Sequence, residues 1–204
     1  VENKYETKKE QIIKDAKKAF LSFGFKKTTM DDIAKKMDLK KNTLYYYFKS
    51  KNDLFDEVVK ESLAELIAAV EHSMGKAKSA EAKIKAGLHT FAEEISANVN
   101  DYQITVKILL EFICVMEKNK NRQISKLPII ISEALKKGMK TKEFKKHNAE
   151  ELAVILLDTA ASFEIVKLSK ISYGFLERNS GKNACCGDYY FEKGIDLILN
   201  GIKK

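Results

Sequence analysis

Apolar residues recur along most of this chain at three- and four-residue spacing, the period of helices buried on one face. The first such stripe, Ile12, Ala16, Ala19, Phe20 and Phe23, predicts a helix over about 7–23 closed by Gly24. Two shorter stripes follow between Thr28 and Lys51. Met30, Ile33, Ala34 and Met37 stand at i, i+3, i+4, i+7, behind Thr28 or Thr29 as N-cap and with Asp31 and Asp32 at the positive end of the helix dipole. The next, about 40–48, turns Leu44, Tyr47 and Phe48 to one side, while Asn42, Tyr45, Tyr46 and Lys49 share the other. Ser50 and Asp53 then cap a long helix, with Leu54, Phe55, Val58, Val59, Leu63, Leu66, Ile67, Val70 and Met74 on its apolar side, up to Gly75. Further helices are predicted over about 79–98, 101–118, 123–140, 148–171 and 187–202, with Pro128 in the first turn or at a kink of its helix. These long periodicities leave no room for a sheet. The expected fold is all-α, about nine helices, split into a small head over 1–51 and a larger bundle over 52–204.

Two short amphipathic helices joined by a tight connection are the layout of a helix-turn-helix that reads DNA. Charge placement agrees. Residues 1–51 hold 14 Lys and 7 acidic residues, whereas 52–204 hold 23 basic against 22 acidic residues, so nearly all the excess positive charge lies on the head. A basic surface concentrates a protein around phosphate, with affinity that falls steeply with salt. The two arginines, Arg122 and Arg178, lie outside the head, which removes the guanidinium fork to guanine. Reading then falls to other side chains. Asn42 suits the adenine N6/N7 edge, Lys40 or Lys41 reaches guanine acceptors, and Thr43, Tyr45 or Tyr46 meets thymine methyls or phosphates, with Lys49 on the same face. Lys51 and the hydroxyls of Thr28 and Thr29 are expected on phosphates.

The head also resembles a known family. Gly24-Phe25, Thr28-Thr29-Met30, Asp32-Ile33-Ala34, Thr43-Leu44-Tyr45-Tyr46-Tyr47-Phe48, Ser50-Lys51 and Asp53-Leu54 are similar, in order and spacing, to the N-terminal signature of TetR-type transcriptional regulators. The turn departs from that signature: Met37-Asp38-Leu39-Lys40 replaces Ala-Gly-Val-Ser, and Asn42 replaces a common Gly. Asp38 can take a left-handed conformation at some cost, but Lys40 cannot cap the second helix as Ser would. The resemblance implies a homodimer built from the last two long helices, here 148–171 and 187–202, with Ala153, Leu156, Ala160, Phe163 and Leu197 as interface candidates. It also implies a small-molecule effector that releases a palindromic operator, hence a repressor.

The apolar helix over 101–118 suggests where such an effector would bind. VKILLEFICVM is apolar on almost every side, yet carries Glu111, which must be paired, neutral or turned into a cavity. A pocket lined by Phe91, Ile95, Ile108, Phe112, Val115 and Met116, with Glu111 or His89 as polar anchor, fits a largely hydrophobic effector; a structural ion pair of Glu111 with a neighbouring Lys is the other reading. Glu164 raises the same question. No Gly-rich phosphate loop, nucleophile elbow or HExxH motif occurs, and His72, His89 and His147 lack partners at metal-ligand spacing, so neither enzyme activity, metal nor cofactor is expected. Cys114, Cys185 and Cys186 suggest no disulfide framework, consistent with a reducing compartment. No run approaches the ~18 apolar residues of a membrane span and no secretion-type leader opens the sequence, so a soluble cytoplasmic protein is expected. Two alternatives remain at this level: a helical interaction module that has lost specific DNA binding, or a regulator sensing thiol chemistry through Cys185-Cys186.

Overall fold

A computed structural model describes residues 2–102, 126–168 and 186–203. The described helices are α1 (Glu2–Phe23), α2 (Met30–Lys36), α3 (Lys41–Tyr47), α4 (Lys51–Lys76), α5 (Ala80–Tyr102), α6 (Lys126–Lys140), α7 (Ala149–Leu168) and α8 (Cys186–Ile202). The chain is all-α, and its one β-type contact among the described residues is an isolated bridge between Phe144 and Lys203. No described helix is long and apolar enough to cross a membrane.

Two boundaries differ from the sequence expectation. α1 begins at Glu2 rather than near residue 7, and α5 runs on through Asn98 to Tyr102 with no break before residue 101. Both extensions are polar, Glu-Asn-Lys-Tyr-Glu-Thr and Asn-Val-Asn-Asp-Tyr, so the apolar period that marks a helix fades there while the backbone continues. The expected helix over 101–118, and with it Ile108, Glu111, Phe112, Cys114, Val115 and Met116, otherwise lies outside the described residues, as do Cys185 and the two arginines.

The described chain forms two compact units: 2–65 with 99–102, and 66–98 with 126–168 and 186–203. In the first, the apolar sides of α1 to α4 close around Ile12, Ala16, Phe20, Ile33, Leu44, Leu54, Phe55 and Val58, all buried. Phe20, Phe25 and Phe55 meet as a ring cluster at 4.7–5.6 Å between centroids. The early turns of α4 thus pack within the head, past the boundary expected at residue 51. α1 ends where Gly24 takes φ 84, a left-handed conformation that costs glycine nothing, and its N–H bonds back to the Phe20 carbonyl at 2.9 Å.

The second unit is a bundle whose core joins Val70, Met74, Ile84, Leu88, Ile131, Leu135, Phe144, Ala153, Leu156, Ala160, Phe191, Ile195 and Leu199. α7 packs against both α6 and α8. At the start of α5, the Ser79 hydroxyl oxygen accepts the Ala82 N–H at 3.0 Å, and the Glu143 carboxylate accepts the N–H groups of Ala80 and Glu81, each at 3.0 Å, so the first two N–H groups of the helix are satisfied from across the bundle. Nearby, Lys85 bridges Glu81 and Asp196 while Lys203 also reaches Glu81, tying α8 to α5 through charge-assisted bonds.

Candidate nucleic-acid interface

α2 starts on a reciprocal cap. Thr29, extended at φ −108 and ψ 161, accepts the Asp32 N–H through its hydroxyl oxygen at 3.2 Å, and the Asp32 carboxylate accepts the Thr29 N–H at 3.0 Å and its hydroxyl at 2.6 Å. The hydroxyl bond from Thr29 is the main reason the Asp32 carboxyl is held below its ordinary pKa. Met30, Ile33 and Ala34 bury against the head. The turn then closes as Asp38 swings to φ 51, and the Leu39 N–H bonds the Ala34 carbonyl at 2.8 Å. Asp tolerates that conformation better than most residues with a Cβ, which is how the turn forms without its usual glycine.

α3 is anchored from beneath by Leu44 and Phe48, both buried. Its N-cap, Lys40, makes no side-chain cap bond. Instead, Lys41 reaches back to Asp31 of α2 at 2.9 Å, an exposed pair that ties the two helices and holds the Lys41 ammonium above its ordinary pKa. Above the anchored side, Lys40, Lys41, Asn42, Tyr45, Tyr46 and Lys49 are all exposed, Thr43 is half-buried, and Tyr46 is 71% accessible. Amide, hydroxyl and ammonium groups on one helix face match the donors and acceptors that major-groove base edges and phosphates present.

Three residues expected on phosphates make bonds within the head itself. Thr28 is only 2% exposed and its hydroxyl donates to the Gly24 carbonyl at 2.8 Å, where it closes the turn after α1. The Lys51 ammonium donates to the carbonyls of Phe25 at 2.9 Å and Thr28 at 3.0 Å and lies 4.4 Å from the centre of the Phe25 ring, so it latches the same turn from α4. The hydroxyl proton of Thr29 is engaged by Asp32. Sequence reading also missed Tyr5, which lies against Tyr46 and Tyr47. It falls seven residues before Ile12, on the same helix face, and that spacing was the available signal.

In the second unit, Ala153, Leu156 and Ala160 are buried in the chain's own core, which corrects their assignment to a surface that a second copy could meet. Leu197 is 73% exposed, Val154 and Ile155 of α7 also face outward, and Phe163 is half-buried with its ring over Gly194. A groove of about 410 Å³ runs along this side of α7, lined by Ile155, Asp158, Thr159, Ser162, Phe163 and Val166. His89 pairs through Nε2 with Glu192 at 2.5 Å and meets Phe191 edge-on, while Phe91 and Ile95 are half-buried. Glu164 is buried and accepts the Ser96 hydroxyl.

A buried scaffold that presents a short basic and aromatic helix behind a capped first helix and a tight turn defines a helix-turn-helix protein of the DNA-binding class. Residues 12–58 match the model of the bacterial regulatory proteins of the tetR family. Over those residues the head is similar to the TetR family, and the chain as a whole has the all-α fold of solved TetR-type regulators. It is similar to a transcriptional regulator from Cytophaga hutchinsonii ATCC 33406, with a TM-score of 0.66 at 25% identity over 96% of this chain and 98% of that one. A TetR/AcrR-family regulator from Thermobifida fusca YX-ER1 superposes with a TM-score of 0.63 at 23% identity, over 97% of this chain and 100% of the other. In sequence, the chain is 33% identical over 104 residues to YhgD of Bacillus subtilis (strain 168), an uncharacterized HTH-type transcriptional regulator, covering 51% of this chain and 52% of YhgD. It is 44% identical over 52 residues to IcaR of Staphylococcus aureus (strain Newman), the HTH-type negative transcriptional regulator of the biofilm operon icaADBC, covering 26% of this chain and 28% of IcaR. The match therefore spans about half the length of the first of these relatives and about a quarter of the second.

Proposed function

We propose that this chain is a transcriptional regulator that binds a palindromic operator as a homodimer and is released from it by a small molecule. The observation that carries this reading is the outward face of α3, where Lys40, Lys41, Asn42, Tyr45, Tyr46 and Lys49 stand exposed over a buried Leu44 and Phe48. Repression is supported by likeness of the head to IcaR, a negative regulator. Two copies are supported by the exposed apolar side of α7 and α8, and by the reach of a single head, which covers too little DNA for typical specific affinity. The effector is expected to be largely hydrophobic, binding in the unit that follows residue 65. Release then follows from its differential affinity for the DNA-compatible and incompatible states; a hundredfold loss of operator affinity corresponds to about 2.7 kcal/mol of coupling.

Selection of duplexes from a random pool tests the first half. An enriched palindrome, bound with steep salt dependence, is expected, and Asn42→Ala should cost ~1 to 3 kcal/mol at one base position while leaving the others unaffected. Failure to enrich any sequence would defeat the reading. A thermal-shift screen of lipophilic compounds, followed by DNA-release assays on the hits, tests the second half. Compounds that stabilise the protein without altering operator affinity would defeat the switch and leave DNA reading intact.

A further inference from the structure

A cluster of three rings joins the first turns of α1 to the outward side of α3. Tyr5 stacks on Tyr47 with 4.8 Å between centroids and 25° between planes, and meets Tyr46 edge-on at 5.8 Å and 83°. Tyr46 stands perpendicular to Tyr47 at 5.2 Å and 88°. The most exposed ring of α3 is thus held from two sides, in the edge-to-face geometry that ring quadrupoles favour. Elsewhere on its free side α3 is held by the exposed Lys41–Asp31 pair. It has seven residues, no side-chain bond at its N-cap and an extended residue, Phe48, at its end, and a helix that short is not stable by itself. Tyr5 also precedes residues 12–58, the span that matches the family model, so this brace comes from a part of α1 outside that match.

We propose that Tyr5 is a positioning residue for DNA reading, which acts by fixing the Tyr47 and Tyr46 rings rather than by touching the bases. The inference rests on the regulator reading above. An exposed tyrosine that samples several rotamers loses that freedom when it seats against a particular base step, and the loss weakens binding. A ring already held by Tyr5 and Tyr47 has lost it before DNA arrives. The benefit appears only where Tyr46 meets a specific site, because loose association through phosphates does not require the ring in one place.

The test uses the full chain, a duplex enriched by the wild type from a random pool and a scrambled duplex, with affinities read by fluorescence anisotropy at several salt concentrations. Tyr5→Ala is expected to weaken binding to the enriched duplex about three- to tenfold, with scrambled-duplex affinity and salt slope unchanged. Tyr5→Phe keeps the ring and should retain wild-type affinity. Tyr5→Leu, which keeps apolar bulk without a ring, should match Tyr5→Ala and serves where the alanine variant fails to fold. In a Tyr46→Ala background, Tyr5→Ala should lose most of its effect. An equal loss on both duplexes, an undiminished effect in the Tyr46→Ala background, or wild-type binding by Tyr5→Ala and Tyr5→Leu would overturn the inference alone. A wild type that enriches no sequence overturns the regulator reading, and the inference with it.

Discussion

Lys51 and Thr28 are polar side chains at the edge of a basic face, and both are engaged by the backbone of their own turn. The ammonium of Lys51 satisfies the carbonyls of Phe25 and Thr28, and the hydroxyl of Thr28 joins its own N–H on the Gly24 carbonyl. Sequence spacing shows that a lysine opens α4, but the carbonyls it meets lie 23 and 26 residues earlier and are brought there only by the fold. Local features were easier to read: Leu44 and Phe48 as anchors, Asp38 in the left-handed turn and Lys40 as an N-cap without a side-chain bond follow from a few neighbouring residues. Lys51→Ala should therefore lower head stability by about 1 to 3 kcal/mol, the cost of removing charge-assisted bonds from partly buried carbonyls, and leave the salt slope of DNA binding unchanged. Lys49→Ala should behave in the opposite way, with stability held and the slope reduced by about one. Thermal unfolding and a salt titration of both variants separate latch from phosphate contact.

Helix ends in this chain are set by different devices, and these differ in how far they can be read from sequence. The cap of α2 is contiguous, Thr29 to Asp32, and was legible; the closure of α5 by Glu143 comes from 62 and 63 residues away and was not. Thr29→Ala should cost ~1 kcal/mol in thermal unfolding at neutral pH. Because the Asp32 pKa is depressed, its contribution is present above the ordinary value of 3.8 and is lost as pH falls through the lower folded value, so the gap between variant and wild type should narrow in strong acid to the part carried by the Thr29 hydroxyl on the Asp32 N–H. Glu61 on α4 has the opposite sign. Burial, then the neighbouring Glu65, raises its pKa, with Lys17 opposing and Glu10 and Glu57 adding to the shift. A raised carboxyl favours the fold while protonated, below its ordinary 4.5, and loses that contribution as pH rises through the folded value. Glu61→Gln should accordingly raise the melting temperature at pH 7 and give no gain near pH 4; a gain that persists unchanged at pH 4 would rule out titration of Glu61 as its source.

On the scale of the whole molecule, the small residues of α7 show where periodicity stops being informative. Ala153 and Ala160 permit close approach of a helix, but a neighbour in the same chain and one in a second copy leave the same sequence pattern. The fold settles which it is for these positions: they are buried within the bundle, and among the described residues of α7 and α8 the large apolar ones left outward are Val154, Ile155 and Leu197. Leu197 is the most exposed of the three, and Val154 and Ile155 stand outward on the helix packed against its own. The position separates assembly from folding. A glutamate there would remain hydrated in a lone chain, whereas against a two-fold copy it would bury two uncompensated charges near the axis, each costing several kcal/mol. Leu197→Glu should thus keep the helical circular dichroism of the wild type, sediment as a monomer at micromolar concentration and lose most operator affinity, because one head reads only a half-site. Ala160→Glu, which places the charge in the core, should fail to fold. If Leu197→Glu remains dimeric with operator affinity intact, α8 lies outside the interface and the exposed side of α7 must find its cover elsewhere.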